Sequence, residues 1–91
     1  MILAKVVGTV WATRKDEKLV GMKLQIVKPV DLKYKQKDGF LVAVDAVGAG
    51  AGEIVLIAQG SSARQTVLTE NKAVDATIMA IVDKLDVETE T

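Results

Sequence analysis

Residues 2–13 alternate with a period of two, and this pattern constrains the fold more than any other feature of the chain. Ile2, Ala4, Val6, Gly8, Val10 and Ala12 are all small or apolar, whereas Leu3, Lys5, Val7, Thr9, Trp11 and Thr13 are mixed. Successive side chains of a strand point to opposite faces, so this segregation predicts a long strand with one buried face. Gly8 in its middle predicts a bend, a bulge or a close backbone approach. A charged connection, Arg14-Lys15-Asp16-Glu17-Lys18, follows. Alternation resumes over 22–28, with Met22, Leu24 and Ile26 on one face and Lys23 and Gln25 on the other. Pro29, which lacks an amide donor, closes this strand or sits on an edge.

Residues 31–39 read as a polar loop ending in the turn signal Asp38-Gly39. Residues 40–47 predict a third strand that starts with Phe40 in the core. Residues 54–59 predict a fourth, apolar on both faces and therefore covered on both. The last segment is ambiguous. Val74, Ile78, Ile81 or Val82, and Leu85 recur at helical spacing, yet β-branched residues crowd 74–82 and favour a strand. The acidic, polar tail 86–91 is expected to fray. Short strands, polar turns and no βαβ rhythm predict an all-β barrel or sandwich in a single domain.

Size and composition then bound the function. A chain of 91 residues buries a modest fraction of its surface, and domains this small often need staples or partners. The sequence has no Cys and no His, which removes disulfides and zinc as staples. Oligomerisation is the remaining route, and 49% apolar residues suit it. The same two absences remove the commonest general base and metal ligand, so the composition leans away from an enzyme and no cofactor is expected. No apolar run approaches the ~20 residues of a membrane span, and Met1 to Lys5 are not expected to open a signal peptide.

Net charge is zero but unevenly spread. Residues 1–38 hold nine basic and four acidic side chains, net +5, and residues 39–91 hold three basic and eight acidic ones, net −5. Two solvated faces of one domain explain this most simply. Complementary flanks meeting head to tail, or a face that steers nucleic acid, are the sharper readings. Single-strand binding usually needs aromatic platforms in a basic groove, and the only aromatics are Trp11, Tyr34 and Phe40, so no nucleic-acid partner is expected.

Two strings stand out. Gly48-Ala49-Gly50-Ala51-Gly52 lacks the spacing of a phosphate-binding loop and runs into a strand rather than a helix. It predicts a tight turn in which Gly48, Gly50 or both take backbone angles closed to other residues. In Gly60-Ser61-Ser62-Ala63-Arg64, Ser61 or Ser62 is expected to cap a short helical turn, with Arg64 paired to a carboxylate within the subunit or across an interface. Asp45, Asp75 and Asp83, at the ends of apolar segments, are expected to satisfy backbone amides or pair with Arg64. Nothing in their spacing makes them a metal site.

The order of these strings resembles a known family. Ile2-Leu3-Ala4-Lys5-Val6-Val7-Gly8-Thr9-Val10 leads to Met22-Lys23-Leu24-Gln25-Ile26-Val27. Val42 to Glu53, Gly60 to Gln65, Val74-Asp75 and Ala80-Ile81-Val82-Asp83 then follow. The whole is similar to the bacterial microcompartment vertex proteins, the CcmL/EutN family of carboxysome and ethanolamine-utilisation shells. The resemblance implies a five-stranded OB-like barrel with one short helical turn, residues 1–91 forming one vertex domain. It implies a strand from about Thr77 to Asp83, assembly into a homopentamer, and a place in a shell within the bacterial cytoplasm beside hexameric shell proteins. It implies no catalytic residue, cofactor, metal, nucleic acid or membrane partner. Gly48, Gly50, Gly52, Ser61, Ser62 and Arg64 mark the family's two loops. The alternative is a small OB-like barrel that binds an oligonucleotide or another ligand.

Overall fold

The structure is a computed structural model that describes residues 1–72 and 74–88. Five strands follow one another along the chain: β1 (Ile2–Val10), β2 (Leu24–Pro29), β3 (Leu41–Asp45), β4 (Ile54–Gln59) and β5 (Ala76–Ile81). They close into a barrel in the order β1-β2-β3-β5-β4. The pairing is antiparallel throughout, except that β3 and β5 run parallel over Val44↔Thr77 and Asp45↔Ile78. Closure leaves few unpaired strand edges, and a barrel this narrow admits only small or compact side chains. Ala4, Val6, Val27, Ala43, Val55, Ile57, Ala76 and Ile78 fill it.

β1 carries the expected irregularity. Its register with β2 passes from Val6↔Val27 to Gly8↔Ile26, so Val7 is the extra residue of a bulge. The bulge reverses the alternation, turning Gly8 and Val10 outward and Thr9 inward. Ile26 lies over Gly8, its Cδ1 3.4 Å from where a Cβ would stand. β1 ends at Val10, short of the expected Thr13.

β2 keeps the expected division of faces and turns the one bearing Gln25 inward. Gln25 and Val27 are buried in the barrel, and Leu24 and Ile26 are half-buried outside it. Two causes combine. Gln25 is satisfied by a polar cluster within the barrel, described below. Leu24 is partly covered from outside, by a separate small cluster of Met22, Val44, Val74 and Leu19. Leu19 belongs to a 3-10 helix, Glu17–Leu19, in the charged connection, where a second helical turn was not expected. Asp16 caps it by accepting from Lys18 N at 2.9 Å.

Phe40 does not join the core. It is 66% exposed, one residue ahead of β3, where Gly39 at φ +86° carries the chain around. β4 matches its expected span. β5 resolves the ambiguous segment as a strand, shifted one residue earlier at its start and ending at Ile81. Of the acidic tail, 86–88 hold no regular structure and 89–91 lie outside the described residues. No helix among the described residues is long and apolar enough to cross a membrane.

Candidate assembly site

The glycine string forms the loop between β3 and β4, and a buried polar cluster holds it. Asp45 Oδ1 accepts from Val47 N at 3.0 Å and Gly48 N at 2.9 Å. Gln25 Nε2 donates to Ala49 O at 2.9 Å and, more weakly, to Asp45 Oδ2 at 3.4 Å, while Gln25 Oε1 accepts from Thr9 Oγ1 at 2.9 Å. Burial opposes ionisation of Asp45, but the amides of Val47, Ala49 and Gly48 and the Gln25 side chain outweigh it and hold its pKa below the ordinary carboxylate value. The far side of the loop is tied to β1, where Gly52 N donates to Val6 O at 2.8 Å and Val6 N to Glu53 O at 3.0 Å.

Gly48 and Gly52 have φ of +80° and +86°, the left-handed region that other residues rarely enter. Gly50 does not, contrary to one branch of the expectation. Its place is set by Glu53, whose Oε1 accepts from Gly50 N at 2.6 Å. A Cβ on Gly50 would stand 3.3 Å from that oxygen.

The second string is a 3-10 helix, Gly60–Arg64, following β4 directly. Neither Ser61 nor Ser62 caps it. Gln59 holds the cap position without a side-chain bond, and both serines lie inside the turn and exposed. The chain enters through Gly60 at φ +64°, whose N–H donates to Asp75 O at 2.8 Å, so no side-chain cap is required there. Within the subunit, Arg64 pairs with a carbonyl rather than a carboxylate: its Nη1 donates to Val74 O at 2.9 Å. Thr77 Oγ1 donates to Ala63 O at 2.7 Å and anchors the turn to β5. Of the three aspartates, Asp45 satisfies amides as expected, while Asp75 and Asp83 are exposed. Among the described residues no three of His, Cys, Asp or Glu gather where they could hold a metal ion.

Both strings therefore build loops held by hydrogen bonds to the barrel. The surface of the subunit carries several large apolar side chains. Trp11 is 89% and Val67 98% exposed, and Val42, Val47, Leu32 and Phe40 are also open to solvent. The sequence reading did not single out the exposure of Trp11, although its place in the mixed register of 2–13 was the available signal.

A model of the family described as "Ethanolamine utilisation protein EutN/carboxysome" matches residues 1–83. The chain belongs to this family. Among curated members, it is 44% identical to the bacterial microcompartment shell vertex protein GrpN of Rhodospirillum rubrum, over 94% of this chain and 97% of that protein. It is 46% identical to the carboxysome shell vertex protein CcmL of Nostoc sp., over 97% and 88% respectively. The solved structure of the Nostoc CcmL superposes with a TM-score of 0.93, covering 97% of this chain and 93% of that one. The structure of GrpN, described as a pentameric microcompartment shell protein, superposes at 0.89 with 43% identity, covering 97% of this chain and all of that one. The EutN/CcmL family thus supplies relatives of nearly the same length, with the same barrel from end to end.

Proposed function

We propose that the chain is a structural shell protein, assembling as a homopentamer that forms the vertices of a bacterial microcompartment in the cytoplasm. The observation that carries this reading is the near end-to-end superposition on a family member described as pentameric. Residues 1–91 act as one vertex domain. Relatives named as shell vertex proteins occur in carboxysomes and in other microcompartments alike, so the shared role is architectural rather than tied to one cargo.

The physics of the role is simple. A flat hexagonal sheet cannot close on itself, and five-fold points introduce the curvature that closure needs. A five-fold ring uses heterologous contacts, one flank of each subunit meeting the opposite flank of the next. The charge split between residues 1–38 and 39–91 suits such a contact. The partners outside the ring are hexameric shell proteins. Gly48, Gly50, Gly52 and the Ser61-Ser62-Ala63-Arg64 turn serve to hold the two loops in the shapes that assembly uses. The role requires no catalytic group.

Co-expression with the hexameric shell proteins of the same compartment tests this. With the chain present, electron microscopy should show closed polyhedra, and without it, open sheets, tubes or elongated bodies. Closed shells of the same form in its absence would contradict the vertex role.

A further inference from the structure

We infer that residues 83–88 of each subunit form an arm that docks in a cleft beside Trp11 on the neighbouring copy of this chain. This rests on the ring reading above and locates its contact.

The cleft comes first. Between the end of β1 and the start of β2 lies a cavity of about 400 Å³. Val10, Trp11, Met22 and Leu24 give it an apolar lining, and Lys15 and Lys23 add two cations. Trp11 is 89% exposed, so the chain's own residues leave its indole uncovered. Tryptophan is among the residues most enriched at interface hot spots, and the two lysines stand at the rim, where charge belongs.

The arm has the matching pattern. Among the described residues the last backbone hydrogen bond runs from Val82 N to Ile54 O, at 2.8 Å. Beyond it the chain continues as Asp83-Lys84-Leu85-Asp86-Val87-Glu88 with no regular structure. In an extended chain Leu85 and Val87 share one face, and Lys84, Asp86 and Glu88 share the other. Lys84 Nζ lies 3.7 Å from Asp86 Oδ1, as that alternation requires. An apolar edge with a mostly acidic opposite edge complements an apolar cleft bordered by Lys15 and Lys23.

Register brings the two to the same height. Ala4 pairs with Val55, and Val55 with Ile81, so Ile81 lies level with Ala4. β5 and β1 both run antiparallel to β4, hence in the same direction. Continued at strand spacing, Leu85 to Glu88 come level with Gly8 to Trp11. The arm and the cleft thus lie toward the same end of the barrel, where a neighbouring copy in a ring can bring its cleft within reach of the arm. Six extended residues reach ~20 Å. The two shorter dimensions of the subunit are 24 and 20 Å, so the arm is long enough to cross to the next copy.

The protein itself supplies the reporter, because Trp11 is its only tryptophan. Three proteins are compared by intrinsic fluorescence and light scattering: wild type, a chain truncated after Val82, and Leu85→Asp/Val87→Asp. The wild-type ring should emit at short wavelength and resist quenching. Both variants should shift to the long-wavelength emission of a solvated indole, with ring dissociation at about tenfold or more higher protein concentration. A second measurement uses the absence of native cysteine. Lys15→Cys/Val87→Cys should form, on oxidation, disulfides between subunits and a ladder of linked copies. A wild-type ring with solvated Trp11, or a buried Trp11 unaffected by both arm variants, overturns the docking while leaving the ring intact. A wild-type chain that remains a monomer overturns the ring reading and the docking with it.

Discussion

Gln25 Nε2 donates to the carbonyl oxygen of Ala49 at 2.9 Å, joining β2 to the glycine loop through the inside of the barrel. Gln25 is 1% and Ala49 1% exposed, so the bond is shielded from solvent. The same amide reaches Asp45, which in turn holds the amides that begin the loop. One buried glutamine therefore couples the strand, the carboxylate and the loop. Gln25→Ala leaves the Ala49 carbonyl unpaired and strips Asp45 of a donor. The expected loss is about 2–3 kcal/mol, read as a lower denaturation midpoint in urea at unchanged slope. A midpoint equal to wild type would show that the loop does not depend on this contact.

Asp45 makes stability depend on pH with a definite sign. Its folded-state pKa is depressed, burial being outweighed by the amide and Gln25 hydrogen bonds. Its ionised form therefore stabilises the fold at pH above its unfolded pKa of about 3.9, and that contribution is lost as pH falls through the folded value. Asp45→Asn should lower stability near neutral pH and flatten its decline below about pH 4. Thermal melts across pH 2–7 of both proteins compare the two slopes, and parallel curves would remove Asp45 as a source of the acid sensitivity.

The glycines of the loop separate into two kinds. Gly48→Ala and Gly52→Ala place a side chain at positive φ and should each cost about 1 kcal/mol or more. Gly50→Ala meets only the end of the flexible Glu53 side chain and should cost less than either. Melting temperatures ranked in any other order would contradict the loop geometry.

Arg64 contributes one partly buried hydrogen bond to a carbonyl. Arg64→Ala should cost about 1–2 kcal/mol, well short of the 3–5 kcal/mol that breaking a buried ion pair typically costs. Calorimetry of the purified variant distinguishes the two values.

Much of the barrel is legible in the sequence because most strands obey alternation. β4 is continuous and apolar, and Gly8 marks the bulge. In β2 alternation reports only which residues share a face and not which face is buried, because the half-buried outer face is as apolar as the inner one. Gln25 looks solvated until its partners Thr9, Asp45 and Ala49 are brought together across the barrel, which local pattern does not encode. Phe40 is misplaced for a related reason: hydrophobicity argues for burial, whereas Gly39 turns the chain so that the ring points outward. In the site, the two loop strings are visible in sequence, but their partners are carbonyls and amides, which every residue carries. The Trp11 cleft is invisible because it arises only when Met22 and Leu24 return beside Val10.

The ring is the central claim, and the mass of the purified protein in solution tests it most directly. Light scattering coupled to gel filtration should return about 49 kDa, five times the 9.7 kDa chain. A mass at the monomer or dimer value across all protein concentrations measured would contradict the vertex account.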